Sequence, residues 1–373
     1  MRIATRMLQR EIIAAVALTS IAFLALLMFF DLISETRFIS RSGSQSYGMG
    51  DALLHMALSA PMHLYELLPI CALIGTVFVM ARYAQTSQFT ILRTGGLGPG
   101  RALGILLSLG VLFTALTWVL GDYVVPWSER TANTVRAQHL NLARVTGQNA
   151  WLRERQGEES IIIYVGTLHS DGQMNNLRIF RFAPNGEMLT RIDARQARLE
   201  GTQWQLQQAV RNDFPPRATA DDASAPPSAI RTQFGETMPW DSGISLEMVT
   251  AAVLKPDGMS TLELFSYVDH LKANNQSAQK YELELWRKVF YPLSCLVMMV
   301  LALPFAYLHF RSGGIMGYVF GGIMVGISYL LLNNVLGYMG NIHQWSALLT
   351  SAIPGVLYSI ASLAAFGWLV LRR

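Results

Sequence analysis

The sequence predicts a membrane bundle of six α-helices, arranged as three plus three, with an all-β domain inserted between the two sets. Hydrophobic residues make up 51% of the chain and charged residues only 14%, a balance typical of integral membrane proteins. Long uncharged runs occur on both sides of a segment in which apolar and polar residues alternate. We therefore expect membrane helices in residues 1–126 and 288–373, and a β-jellyroll-like domain with a helical return in residues 127–287.

Membrane spans can be located from uncharged length, because a helix needs roughly 20 apolar residues to cross the hydrocarbon core. The second span is irregular, since ionisable residues interrupt it and Pro61 and Pro69 are placed to bend it. We expect residues 52–61 to be an amphipathic lead-in and the chain as far as Ala81 to be the crossing. The other five spans contain no charged residue and cover residues 12–30, 103–121, 289–308, 315–342 and 345–371.

Arginine placement predicts the side of the membrane that each loop occupies, because positive charge close to a helix end is retained in the cytoplasm. The short loops opposite the N-terminus carry only Arg37 and Arg41. We predict cytoplasmic termini and, in a bacterium, a periplasmic insert. The basic N-terminal segment and the first apolar run resemble a signal peptide but lack a small-residue cleavage site. The first helix is therefore expected to be retained and not cleaved. The arginines expected on the cytoplasmic side are Arg2, Arg6, Arg10, Arg82, Arg93, Arg101, Arg311, Arg372 and Arg373.

The insert alternates with period two, as half-buried strands do. Asn185-Gly186 is a strong hairpin turn, and residues 214–229, rich in Pro, Ala and Asp, are typical of a mobile loop. Strands are expected to resume at Ile230, and helical patterning over residues 260–273 leads back to the membrane. Antiparallel strands are predicted over residues 160–168, 177–182, 187–192, 196–200 and 204–210.

Motifs for chemistry are mostly missing from the sequence. No Gly-Lys dipeptide occurs, which excludes a Walker A phosphate loop, and the glycine-rich run at residues 95–100 follows no predicted strand, so it is interpreted as a cytoplasmic turn. The seven histidines show no metal-ligand spacing. Cys71 and Cys295 fall in hydrophobic runs, where each is expected to be a small buried residue. No stripe of basic and aromatic residues points to nucleic acid, so neither a metal nor a nucleic-acid partner is predicted.

Two sets of ionisable residues are candidate sites. His63 and Glu66, three apart on the second span, fit either an interfacial pair that packs against a neighbouring helix or a proton relay. A periplasmic enzyme would need a convergent acid, base or nucleophile in the insert, where only the dispersed His169, Asp171 and Asp193 are available. The sequence therefore argues against an enzyme.

Two other features point to a mechanism. Glycines recur at a spacing of four in the fifth span, which lets helices approach closely in lipid; they fit either static packing or a helix face that must part from a partner. Residues 85–94 form a plausible short helix ended by glycine, and its apolar Phe89, Ile91 and Leu92 predict a cytoplasmic partner or a helix lying on lipid headgroups. The glycine series is Gly313, Gly317 and Gly321, with Gly322 and Gly326 beside it.

The chain resembles the LptF/LptG permease family, the membrane subunits of the lipopolysaccharide exporter of Gram-negative bacteria. The resemblance covers nearly the whole length. It is carried by Leu-Tyr-Glu-Leu-Leu-Pro at 64–69, Leu-Arg-Thr-Gly-Gly at 92–96, the run at 277–288 that leads into Pro292, Leu-Pro-Phe at 303–305 and Arg-Ser-Gly-Gly at 311–314. The loop and the Asn333-Asn334 to Gly337 region are more similar to the LptG members of the family than to the LptF members.

The resemblance implies an assembly and a set of sites. Family members pair as an LptF–LptG heterodimer, dock on the ATPase LptB, and adjoin the LptC and LptA bridge; ATP and Mg²⁺ would be used by the ATPase, and no cofactor by this chain. The coupling helix that docks on LptB would include Gln85, Ser87, Gln88, Phe89, Ile91, Leu92, Arg93 and Gly95, where many relatives have Glu in place of Gln88. The lateral gate, formed by the first and fifth helices, would include Phe23, Leu27, Phe30, Gly317, Phe320, Gly321 and Met324.

An exported anionic lipid also needs cations near the outer rim of its cavity. Arg37 and Arg41 lie just past the first span, and Arg136 and Arg287 are further candidates; ordinary anchoring to lipid headgroups is the alternative role for all four. A different class, an ABC-type permease that acts as a tether or mechanotransmission subunit without transport, also fits a coupling loop. Such subunits typically have four helices, and the six predicted here favour transport.

Overall fold

The computed structural model describes residues 2–42, 48–139, 150–168, 172–200, 203–215, 230–244, 248–249, 256–307 and 315–368. The chain divides into two compact units, one formed by residues 1–136 and 279–373 and the other by residues 137–278. The first is a helical bundle and the second is built on a β-sheet, so the predicted fold class is confirmed.

Ten α-helices are described, of which only α6 belongs to the second unit. Five helices or continuous helical segments are long and apolar enough to cross a membrane, and a sixth span results if α7 and α8, bent by 50° at their junction, count as one. The bounds are α1 Arg2–Ser42, α2 Met49–Gln85, α3 Gln88–Thr94, α4 Pro99–Val119, α5 Val125–His139, α6 Thr261–Ala273, α7 Gln279–Phe290, α8 Leu293–Leu301, α9 Ile315–Ile342 and α10 Ala347–Phe366.

Helix α2 lies between α1 and α9 in the bundle. A Cβ on Gly75 would lie only 2.7 Å from the backbone nitrogen of Val16 on α1, so the two backbones are almost in contact. On the other side, Gly322 and Gly326 of α9 pack against Val77 and Ile70 of α2. Val77 follows Gly75 by about 200° of helical rotation, so α1 and α9 cover nearly opposite faces.

The predicted lead-in at residues 52–61 is not a separate element. Met49–Gln85 is one unbroken helix that contains both Pro61 and Pro69. A proline removes one backbone hydrogen bond, but packed neighbouring helices compensate for that loss. Helix α2 is buried along most of its second half, so neighbouring helices surround the backbone at Pro69.

The third span continues past its predicted end, and the fourth span begins before its predicted start. Helix α4 continues through a π-helical turn at Leu120–Val124 into α5, beyond the predicted end of the span at residue 121. A π-helical turn leaves a carbonyl without its usual partner; the Gly121 carbonyl accepts a hydrogen bond from Nζ of Lys288 at 3.0 Å. The fourth span begins at α7, ten residues before the predicted start at residue 289, and bends before Leu293.

The second unit contains one antiparallel sheet in the order β1-β2-β4-β5-β6-β7, with the short β3 paired to β4. The hairpin turn at Asn185-Gly186 is confirmed, with Gly186 at a φ of 84°. Strand β1 was not predicted, and the two strands expected at 187–192 and 196–200 are one long strand, β5. The bounds are β1 Ala150–Gln156, β2 Glu159–Val165, β3 Thr167–Leu168, β4 Gln173–Phe182, β5 Met188–Glu200, β6 Gln203–Asp213 and β7 Arg231–Asp241.

One face of this sheet is an apolar core centred on Trp204, whose indole N–H donates to the carbonyl of Ile244 at 3.2 Å. Helix α6 begins at a capping box, in which Ser260 and Glu263 bond each other's backbone N–H groups. Its C-cap, Asn274, accepts a hydrogen bond from the backbone N–H of Arg155 on β1 at 2.9 Å. The helix predicted at 260–273 and the strand expected from Ile230 are thus confirmed; the loop expected at 214–229 lies outside the described residues beyond Pro215.

Candidate functional site

The loop between α2 and α4 carries the short helix α3. Ser87 takes a left-handed φ of 57° after α2 ends, which lets the chain turn sharply before α3 begins. Gly96, with a φ of 97°, redirects the chain after α3. The polar and glycine positions of the predicted coupling segment are all exposed, namely Gln85, Ser87, Gln88, Arg93 and Gly95.

The expectation that Phe89 and Leu92 need a partner protein to cover them was wrong. Phe89 is only 3% exposed, and its ring packs edge-on against Tyr307 at 5.1 Å between centroids. Leu92 is half-buried against the same apolar cluster, and the guanidinium of Arg93 lies 5.7 Å from the centre of the Tyr307 ring. These side chains anchor α3 to the bundle, and Ile91, at 67% exposed, is the large apolar side chain that α3 leaves uncovered.

The predicted gate residues of α1 share one face, since Phe23, Leu27 and Phe30 lie within about 60° of helical rotation. They differ in exposure: Phe30 is 57% exposed, whereas Phe23 and Leu27 are half-buried and Phe23 packs against the core of the bundle. The side of α1 opposite Val16, and so away from α2, carries the exposed Leu18, Ile21 and Phe29. Helix α1 thus presents an apolar strip on that side, which does not include the three predicted gate residues.

The glycine series of α9 forms two stripes with different surroundings. A Cβ on Gly317 or Gly321 would meet no atom within 4 Å, whereas Gly322 and Gly326 fit tightly against α2. The first stripe shares its face with Phe320 and Met324, which are 63% and 51% exposed. Both interpretations of the glycines therefore have residues to support them: the second stripe packs the bundle and the first lies on an open apolar face. Gly313 lies outside the described residues.

The candidate rim cations are not brought together by the part of the chain that the structure describes. Arg37 and Arg41 lie in the last turns of α1 and Arg136 in α5, and their side chains lie outside that part. Arg287 has its closest described partners on α7 and α9: Glu284 at 3.8 Å and the Asn334 side-chain oxygen at 3.4 Å.

The ionisable pair predicted on α2 has a different geometry. The His63 ring bonds Asp31 of α1, not Glu66, with 2.5 Å between Nε2 and Oδ2. The backbone carbonyl of Glu66 accepts a hydrogen bond from the Tyr291 hydroxyl at 2.5 Å. Sequence spacing missed the Asp31–His63 bond because the two residues lie on different helices. Among the residues that the structure describes, no cluster of His, Cys, Asp and Glu could hold a metal ion.

These features define a multi-pass helical membrane protein with an inserted β domain, an exposed loop helix and two outward apolar faces that flank a buried helix. The model of the lipopolysaccharide export system permease family LptF/LptG matches residues 6–371, and the chain belongs to that family. Membership makes it a multi-pass inner-membrane protein of the transport class.

Two similar proteins are lipopolysaccharide export system permease proteins named LptG. The protein from Escherichia coli (strain K12) is 24% identical over 357 residues, which cover 94% of each chain. The protein from Haemophilus influenzae is 22% identical over 370 residues, which cover 99% of this chain and 98% of that one. The similarity to LptG noted in the loop and in α9 therefore extends along the whole chain.

Proposed function

We propose that this chain is the LptG-like permease subunit of an ABC transporter that extracts lipopolysaccharide from the outer leaflet of the inner membrane and passes it to a periplasmic bridge. The observation that carries the proposal is the pair of outward apolar faces on α1 and α9, on either side of α2. A sister LptF-like permease would meet these faces and close a cavity between the two chains. Both termini would lie in the cytoplasm, with the β domain in the periplasm.

The proposed cavity would keep the acyl chains of the substrate out of water. Each CH₂ group of an acyl chain that stays out of water contributes about 0.8 kcal/mol, so the walls must be apolar for most of their height. Leu18, Ile21 and Phe29 on α1 and Phe320 and Met324 on α9 are exposed large apolar side chains of that kind. Gly317 and Gly321 would let a partner helix approach closely and part again.

The lipid phosphates would be met at the outer rim by Arg37 and Arg41. Both follow the apolar part of α1 by one to three turns, and arginine binds phosphate oxygens in a bidentate manner. Replacing both with glutamate is expected to reduce lipopolysaccharide extraction from proteoliposomes severely. Unchanged extraction by the double variant would remove these arginines from the rim.

ATP and Mg²⁺ would bind an LptB-like partner ATPase, and α3 would carry its movement into the bundle. The exposed side chains of Gln88, Ile91 and Arg93, which we call the exposed strip of α3, give the ATPase a surface on which to dock. Ile91 is the apolar centre of this strip. Phe89 and Leu92, buried beneath this strip, would transmit the push to Tyr307 because they are packed against the bundle. LptC-like and LptA-like proteins would receive the lipid from the β domain.

The test is co-purification of the tagged chain from native membranes, with and without Ile91→Asp. The wild-type chain is expected to bring down an ATPase and a sister permease and to support ATP hydrolysis. A charge at the centre of the strip should release the ATPase and leave the sister permease bound. Phe89→Asp is a poor probe, because a carboxylate placed there would disrupt the bundle itself.

Leu262→Asp is the matched control, since Leu262 is 74% exposed on α6, in the other unit. This variant should keep the ATPase. Capture of the ATPase by Ile91→Asp at the wild-type level would contradict the docking role of α3. A wild-type chain that brings down neither an ATPase nor a second permease would contradict the proposed transporter.

A further inference from the structure

A cavity of about 190 Å³ lies between α7, α8, α9 and α10. Most of its lining is apolar, with Phe290, Leu293, Val297 and Val356 among the contributing side chains. An engineered apolar cavity of about 150 Å³ is large enough for benzene, so this one has room for a segment of one hydrocarbon chain. It is too small to enclose several chains side by side.

The cavity contains a hydrogen-bond donor without an acceptor. Asn333 lines it and is only 9% exposed, yet its side-chain Nδ2 has no hydrogen-bond partner. Two other polar groups on the lining are satisfied: Ser294 donates to the Tyr291 carbonyl and Ser351 donates to the Leu283 carbonyl. A buried amide N–H that lacks an acceptor costs free energy, so the site is built for a ligand that brings an oxygen.

Arg287 adds a cation to the same lining. Its guanidinium has five N–H groups, and its contacts with Glu284 at 3.8 Å and Asn334 at 3.4 Å are long. Donors are therefore available for a second acceptor at the cavity. Because Glu284 offsets the charge of Arg287, the site should accept both zwitterionic and anionic lipids, with little dependence on salt.

We propose that this cavity binds a glycerophospholipid, with one acyl chain inside it and the ester or phosphate oxygens of the lipid bonded to Asn333 and Arg287. An apolar cleft with convergent donors, in a bundle that spans a bilayer, matches the chemistry of that lipid. A water molecule bonded to these two donors would leave the apolar remainder of the cavity unfilled.

The lipid site is separate from the proposed transport path. Asn333 follows Gly317 by sixteen residues on α9, or about 160° of helical rotation, so the two lie on nearly opposite faces. Gly317, Phe320 and Gly321 lie on the outward face, whereas Asn333 shares the inner face with Gly322 and Gly326. The inference therefore depends only on a membrane-spanning bundle and not on the proposed function.

The experiment is photo-crosslinking in nanodiscs that contain the full chain and a trace of phosphatidylglycerol with a diazirine near the end of its acyl chain. Peptide mapping by mass spectrometry should place the label on residues 293–297 and 352–356. Gly355→Leu fills the cavity, because a Cβ at Gly355 meets no atom within 4 Å. We expect that variant to lose labelling at both peptides by about tenfold.

Asn333→Leu removes the unpaired donor and should also reduce labelling. Gly104→Leu is the matched control, since Gly104 is an exposed glycine of α4 with equally open surroundings, and it should label like the wild-type chain. All variants should first show wild-type elution and unfolding temperature, which separates loss of the site from loss of the fold.

Competition distinguishes a phospholipid site from cargo or adventitious binding. Excess unlabelled phosphatidylglycerol or phosphatidylethanolamine should suppress the label, and lipopolysaccharide at the same molar excess should not. Equal labelling of Gly355→Leu and Gly104→Leu would overturn the proposal. Suppression by lipopolysaccharide as strong as that by phospholipid would overturn it too, because the cavity would then belong to the cargo.

Discussion

His63 and Asp31 join α2 to α1 through a hydrogen bond of 2.5 Å between the imidazole Nε2 and a carboxylate oxygen. Both side chains are partly exposed, at 23% and 37%, and Asp31 follows the predicted gate residue Phe30 on the side of α1 that meets α2. Any rotation of α1 that moved its apolar strip would have to stretch or break this bond. The pair therefore holds the face that we assign to the lateral gate.

A double-mutant cycle with His63→Ala and Asp31→Ala should reveal the coupling. We expect each single variant to lower the free energy of unfolding and the double variant to lose less than their sum, with a coupling of about 1 kcal/mol for a partly exposed pair. The measurement is equilibrium unfolding in detergent. Ser34→Ala is the control, since Ser34 donates to the Asp31 carbonyl within its own helix. A coupling near zero would show that the bond contributes nothing to the fold.

The two glycine stripes of α9 should respond differently to the same substitution. Gly322→Leu pushes a side chain into Val77, whose Cγ2 lies 3.3 Å from the added Cβ, and should cost about 1–3 kcal/mol of stability through overpacking. Gly321→Leu points into open space and should leave the unfolding temperature unchanged, while it hinders lipopolysaccharide extraction in proteoliposomes. Equal unfolding temperatures for the two variants would contradict the division into a packed and an open stripe.

Hydropathy and periodicity predicted the membrane spans and most of the strands, because each signal lies within one segment of the chain; strand β1 was missed. Uncharged length identified each span near its true position, and the hairpin turn, the return helix and the all-β insert followed from local pattern. The fused strand β5 was divided in error because Asp193 and Ala194 interrupt the apolar alternation. Its pairing with β6 continues past them, from Thr190 to Glu200.

The site was harder to predict because its contacts join distant parts of the chain. Phe89 in a polar loop gave no sign that Tyr307, more than 200 residues later, would cover it. Asp31 and His63, and likewise Gly121 and Lys288, meet across helices for which sequence spacing gives no distance. The predicted start of the fourth span at residue 289 placed Lys288 outside that span. In the structure, Lys288 lies inside α7 and is buried.

Lys288 should be essential to the junction of α4 and α5. It is 5% exposed, and its ammonium donates to the Gly121 carbonyl inside the π-helical turn. Lys288→Met leaves that buried acceptor without this donor, which should cost about 1–3 kcal/mol. Unfolding in detergent measures the loss, with the exposed Lys280→Met as the control. A more stable Lys288→Met variant would mean that burial of the ammonium costs more than its hydrogen bond contributes.

His270 of α6 should make the β domain less stable in mild acid. Burial lowers the pKa of its imidazole below the usual 6.5, although the carboxylates of Glu154 and Asp269 oppose that shift. The unfolded chain therefore binds a proton near pH 6.5 that the folded domain resists. Stability is complete above that pH and falls as the pH drops towards the folded pKa, by at most about 1.4 kcal/mol for each pH unit.

Hydrogen exchange of the α6 peptide in the full-length protein, corrected for intrinsic rates, should show weaker protection at pH 5.5 than at pH 7.5. His270→Gln cannot take up the proton, so it should flatten this dependence, whereas His343→Gln, in the other unit, should leave it intact. Asp213 does not contribute in this window: burial opposes its charge, but hydrogen bonds from Arg211 and Thr190 give a net lowering of its pKa below 3.8. An unchanged slope in His270→Gln would assign the acid sensitivity to another group.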